Sequence, residues 1–189
     1  MVYKKGISLV ELLISFAIIG LIGFLVGSVY VAHYRLFSNQ NTAIDVSTQN
    51  KLALSEISNQ IRQSESIVAT CTPCGSDTTS ASILILRLWP LDASSEPIDP
   101  GTSNYDYIEY KRDATDNTKL VRTTYPYASS SRQSGTHIVA ISVSDLSFAY
   151  DNGTPSQAAQ VTTSVTTTAT AGTKTQTVTE SAKSDLRNK

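Results

Sequence analysis

The sequence predicts an α+β protein in which one long N-terminal helix packs on an antiparallel β-sheet head. Three observations carry that prediction. The stretch from Ile7 to Val31 is almost wholly apolar, and no proline occurs before Pro73 and no glycine between Ser28 and Cys74. After that point the chain alternates short β-rich runs with turn signals, and a helix followed only by strands implies a sheet laid on the helix. At 189 residues the chain is about one domain long.

The helix is expected from about Ser8 to about Ile67. Its first half, 7–31, carries a single charge, Glu11, and at about 1.5 Å per residue it is long enough to cross a bilayer. Lys4 and Lys5 stand just ahead of it, which favours a cytoplasmic N-terminus and places the remainder outside. Gly20, Gly23 and Gly27 interrupt the span. The Gly23-x-x-x-Gly27 spacing suits close helix packing, although glycine is also simply common in membrane helices. In the second half, 32–68, Ala43, Ser47, Asn50, Leu54, Ile57 and Ile61 follow helical spacing, with Asp45, Gln49, Glu56 and Arg62 on other faces. Such a stripe reads as core.

The head, 69–189, reads as strands and turns. Ile83 to Leu88 fits a buried strand, and Tyr105 to Arg112 and Lys119 to Tyr125 flank a polar turn at 113–118. Leu146 to Tyr150 ends at Asp151-Asn-Gly153, a turn signal. Gln160 to Thr168 and Lys174 to Lys183 form a last hairpin around Gly172, with Val161 and Val165 on one face and Val178 as a partner. The Ser/Thr content of this region also fits an unstructured tail.

Composition excludes little by itself. A net charge of -1 and a pI near 6.1 give no general attraction to nucleic acid or to an anionic membrane. There is no nucleophile elbow, Gly-rich phosphate loop or metalloprotease helix, so no catalytic residue, metal or cofactor is expected and the protein reads as a substrate of enzymes rather than an enzyme. Cys71-Thr-Pro-Cys74 has three readings. Outside the cytoplasm a structural disulfide leads; a redox pair would want a βαβ setting, and zinc would want further ligands, which neither His33 nor His137 supplies in sequence. Asp113, Asp116 and Asn117 offer oxygens to Ca²⁺ but lack the ordered series of an EF-hand, so a polar turn is preferred. Aromatic residues between Trp89 and Tyr127, interleaved with Lys111, Arg112 and Arg122, suit a nucleic-acid or adhesive surface, yet such alternation on strands is more often sheet packing.

The carboxylate in the apolar run is the sharpest feature. An ionisable group inside a span costs about 2.5–3.5 kcal/mol on insertion scales, so its presence there calls for a role. A secretory signal peptide does not supply one, and no small-x-small cleavage site follows the run. The order Lys4-Lys5-Gly6-Ile7-Ser8-Leu9-Val10-Glu11 resembles the prepilin processing motif of type IV pilins and pseudopilins: basic leader, Gly before the scissile bond, an apolar first mature residue, then Glu at the fifth.

The resemblance implies a leader at 1–6, cleavage after Gly6 by the membrane prepilin peptidase and N-methylation of the new Ile7 amine. It implies that Glu11 pairs with the Ile7 amine of a neighbouring subunit in a filament. Two departures stand out: Ile7 where major pilins more often have Phe, and Ser28 where many carry Pro. The order of the head, with Ile108-Glu-Tyr-Lys-Arg112, Lys119-Leu-Val-Arg122, Val143 to Tyr150 and Leu186-Arg-Asn-Lys189, looks like minor pilins and J-type minor pseudopilins. The implied partners are prepilin peptidase, other pilin or pseudopilin subunits and the membrane, crossed once before assembly into a pilus or periplasmic pseudopilus. No nucleic-acid partner is expected, although DNA uptake, like secretion, motility and adhesion, uses the same N-terminal physics. The competing reading is a signal-anchored surface binding protein or adhesin that never polymerises.

Overall fold

A computed structural model describes residues 8–101, 103–172 and 174–187. The chain is α+β. Among the described residues one α-helix, α1 (Leu9–Gln63), precedes ten strands, and the chain divides into two compact units, one ending at Asn41 and the other beginning at Thr42.

In the second unit the helix buries Val46, Asn50, Ala53, Leu54, Ile57 and Ile61. The stripe therefore runs as its spacing requires, but Val46 and Ala53 join it while Ala43 and Ser47 are only half-buried. The helix ends at Gln63, one turn before the expected Ile67. Ser64 closes it, its amide bonded to the Gln60 carbonyl at 3.0 Å and its hydroxyl donating to the Ile61 carbonyl at 2.7 Å. The chain then enters a sheet: the Glu65 amide bonds the Arg87 carbonyl, and β1 (Ser66–Ile67) pairs with a later strand. Edge pairing ends the helix where side-chain pattern alone would let it continue.

After β1 come β2 (Thr70–Cys71), β3 (Asp77–Thr78), β4 (Leu84–Leu88), β5 (Asp106–Arg112), β6 (Leu120–Tyr125), β7 (Gly135–Ala140), β8 (Val143–Tyr150), β9 (Gln160–Ala171) and β10 (Lys174–Asp185). They make two antiparallel sheets on the helix where one was expected, ordered β1-β4-β5-β6-β7 and β10-β9-β8, with β2 and β3 as a separate pair. The break falls at Ser142, whose φ of 60° turns the chain from β7 into β8. Its carbonyl accepts the Thr168 amide, and the Val143 amide reaches the Thr118 carbonyl.

Period-two alternation sorts the β4–β5 ladder into two faces. Leu84 opposite Tyr110 and Leu86 opposite Ile108 face the helix; Ile85 opposite Glu109 and Arg87 opposite Tyr107 face away. The core joins Ile57 and Ile61 of the helix to Leu84, Leu86 and Tyr110 of the first sheet and to Leu146, Phe148, Val161 and Val165 of the second. The C-terminal Ser/Thr-rich region is a regular hairpin, not a loose tail. Gly172 turns it at φ 60°, and Thr166–Thr179, Thr168–Thr177 and Thr170–Thr175 hydroxyl pairs bridge its exposed face.

Candidate functional site: the N-terminal helix

Lys4, Lys5, Gly6 and Ile7, where the leader and the scissile bond are expected, lie outside the described residues. From Ser8 onward the helix is regular. The Leu12 amide bonds the Ser8 carbonyl at 3.1 Å, and Glu11 sits in the first turn, where a negative charge is favoured by the helix dipole. The Glu11 carbonyl also accepts the Ser15 hydroxyl at 2.8 Å.

Every residue from Leu9 to Phe37 is exposed in the single chain, and Phe24 is 76 % exposed. This is one helix long and apolar enough to cross a membrane, lying near the N-terminus and compatible with single-pass anchoring. Its glycines do not pack against anything in the chain: a Cβ at Gly20, Gly23 or Gly27 would meet no atom within 4 Å. Glycine lowers helix stability by about 1 kcal/mol relative to alanine in a helix interior, and here nothing inside the chain offsets it. Ser28 bonds back to the Leu25 carbonyl at 2.8 Å, and the helix runs through this point unbroken.

No protein-family model matches this chain, and no curated protein matches it.

The other sequence candidates are placed as follows. Cys71 and Cys74 are buried at disulfide distance with Cα atoms 5.2 Å apart. The loop between them is closed by bonds from the Cys74 and Ser76 amides to the Cys71 carbonyl, and Gly75 and Ser76 both take positive φ to make it. The pair packs on Ile85, so this loop covers the face of the first sheet turned away from the helix. Among the described residues no three His, Cys, Asp or Glu gather as a metal site.

Beneath that loop lies a charge cluster that sequence reading missed. Glu109 is fully buried; Lys111 reaches it at 3.0 Å and also pairs with Asp77, while the Tyr125 hydroxyl donates to Glu109 at 3.3 Å. Burial, and then the neighbouring Asp77, push the Glu109 carboxyl above its usual range, whereas hydrogen bonding from Glu109 and Lys111 holds Asp77 below its own. Burial alone would lower the Lys111 ammonium, but its bonds to Asp77 and Glu109 outweigh that and raise it. The only sequence signal was one acid in a β-run whose neighbours alternate inward.

Asp113 and Asp116 serve their own turn. Asp113 accepts the Thr115 amide; Asp116 accepts the Thr118 hydroxyl and amide and pairs with Lys119, which lowers its carboxyl to about 2. The basic residues among the aromatics are engaged too. Arg122 pairs with Glu56, Lys111 with the buried acid, and Arg112 donates to the Ser144 carbonyl at 3.0 Å. Tyr110 is fully buried and Tyr107 and Tyr125 pack near the cysteines, as sheet packing requires; Trp89 and Tyr127 remain exposed. His33 is exposed on the helix, and His137 is exposed on β7 beside Ile138.

Proposed function

We propose that this chain is a prepilin-like filament subunit, a minor pilin or pseudopilin of a type IV pilus or type II secretion system. It would be cleaved after Gly6, methylated at Ile7 and assembled through α1. The observation that carries the reading is the register of Lys4, Lys5, Gly6 and Glu11 at the head of the apolar first half of α1, which the chain leaves uncovered. Before assembly the bilayer would cover that surface; in a filament, helices of other subunits would replace it. Either environment removes its apolar side chains from water, at about 25 cal/mol per Å².

Glu11 fits the same account. In lipid an unpaired carboxylate is costly, and in a filament core a free amine is equally so; pairing Glu11 with the Ile7 amine of a neighbour resolves both. The uncovered glycines at Gly20, Gly23 and Gly27 allow close approach of another helix, and exposed Ile44, Leu52, Ile138 and Ile141 in the second unit offer apolar contact to neighbouring heads.

Mass spectrometry of protein recovered from membranes and from sheared filaments tests the reading. The expected mature chain begins at Ile7 with a methylated amine. Chain retaining Met1 to Gly6 in cells with active prepilin peptidase would instead favour a signal-anchored surface protein that does not polymerise.

A further inference from the structure

A groove of about 550 Å³ opens in the second unit, at the C-terminal end of α1, among Gln63, Glu65, Trp89, Pro97, Arg132 and Arg187. Its volume is that of a small-molecule site. Its walls join the ends of α1 and β4 to loops that are braced. Buried Asp106 accepts the Tyr127 amide and the Ser130 hydroxyl, both at 2.7 Å, and pairs with Arg132 at 2.9 Å. Arg132 then donates to the Trp89 carbonyl, the Ser130 hydroxyl accepts the Leu91 amide, and the Ser131 amide bonds the Leu91 carbonyl. These bonds anchor the backbone at Trp89, whose side chain is 40 % exposed.

The charges in the groove do not cancel. Glu65 pairs with Arg87 at 3.1 Å, and Arg132 pairs with Asp106. Among the described residues Arg187 pairs with no acid. One guanidinium is thus left over in a groove that Trp89, Gln63 and Glu65 also line.

We propose that this groove binds an acidic oligosaccharide, with one sugar ring against Trp89 and that sugar's carboxylate on Arg187. A guanidinium pairs a carboxylate through two parallel bonds, which accounts for the anion. The indole offers a flat apolar face to the C–H side of a pyranose, while Gln63 and Glu65 present donors and acceptors suited to ring hydroxyls. An acidic peptide fits less well, because a run of Glu side chains brings the anion for Arg187 but no flat C–H ring face for the indole of Trp89. The inference concerns the head alone and holds whether or not the chain polymerises.

Trp89 is the single tryptophan of the chain, so its emission reports the groove directly. The full chain in detergent micelles is titrated with trigalacturonate, sialyllactose and a hyaluronan tetrasaccharide, with methyl-esterified trigalacturonate and a Glu-rich hexapeptide alongside. At least one acidic sugar is expected to change the emission saturably. Arg187→Gln is expected to weaken that binding about tenfold or more, as is esterification of the sugar, because each removes a charge-assisted pair. Lys183→Gln, the same charge change on exposed β10, is expected to leave it unaltered. Arg187 is exposed, and an unchanged urea midpoint would show that its variant keeps the head folded. Silence with all three sugars, equal binding by Arg187→Gln, or tighter binding of the hexapeptide would each overturn the proposal.

Discussion

The Asn50 side-chain amide donates to the Val165 carbonyl at 2.8 Å and to the Val178 carbonyl at 3.0 Å, fastening the helix to the second sheet through a fully buried polar group. The Thr167 hydroxyl adds a bond to the Val46 carbonyl at 2.9 Å. Asn50→Ala would remove both donations, with the loss falling on the buried Val165 contact because the Thr167 hydroxyl still reaches the Val178 carbonyl at 3.5 Å, at about 1–3 kcal/mol. Asn50→Asp is expected to be worse, since it sets a negative oxygen against both carbonyls. Urea unfolding of the full chain in micelles, followed by Trp89 emission, measures both; an Asp variant as stable as the wild type would remove Asn50 from this role.

The Glu109 cluster makes stability depend on pH in a definite direction. Its folded carboxyl is raised above 4.5, so the protonated form is favoured in the native state. The stabilisation is complete below about pH 4.5 and is lost as pH rises through the raised value. Asp77 acts oppositely: lowered below 3.8, it stabilises above that pH and loses the effect only as pH falls further. Acidifying from neutral toward 4.5 is therefore expected to stabilise the head. Glu109→Gln should flatten that rise, and Lys111→Met should steepen it by removing the cation that favours the ionised acid. An unchanged slope in both variants would show that Glu109 does not govern it.

Much of this fold was legible in residue order, for reasons that differ by element. Ile57 and Ile61 mark the helix face because apolar spacing there follows the helical period, and the β5–β6 hairpin follows from β-rich runs on either side of Asp113 to Thr118. β7 was not foreseen. Gly135-Thr-His-Ile-Val-Ala140 is an edge strand with three exposed residues in succession, so burial imposes little alternation on it. The same holds for β1, which is only two residues long and exists by pairing with Arg87 and Leu86. The Trp89 groove was illegible for another reason: its residues come from four separated segments, which the β1–β4 pairing and the loops braced by Asp106 bring together.

Cys71 and Cys74 are expected to resist thiol labelling until reductant is added, because they face each other within one tight loop and are buried. Two thiols labelled before reduction would favour a redox or metal role. Reduction should destabilise the head by about 2 kcal/mol, the loop-entropy value for so short a ring, and leave it folded.

Glu11→Ala separates the uses of the helix. Removing the charge should leave membrane insertion intact or improve it, by up to about 2.5–3.5 kcal/mol. Cleavage is expected to continue, since Lys4, Lys5 and the Gly6–Ile7 bond are untouched. The variant's helix should also form normally: Glu11 contributes its backbone carbonyl, not its side chain, to the bond with Ser15, and its first-turn dipole contribution is about 0.3–1 kcal/mol. Assembly is where loss is expected, because a neighbour's Ile7 amine would enter an apolar core without a counter-charge. Following cleavage by gel shift and incorporation by filament shearing in one strain distinguishes the outcomes. Full incorporation of the Ala variant would show that the Glu11–Ile7 pair does not direct assembly, whereas loss of cleavage would place Glu11 in recognition by the peptidase. Glu11→Asp sharpens the result: it keeps the charge but shortens its reach by one methylene, so incorporation between the Ala variant and the wild type is expected if a direct ion pair is what the filament requires.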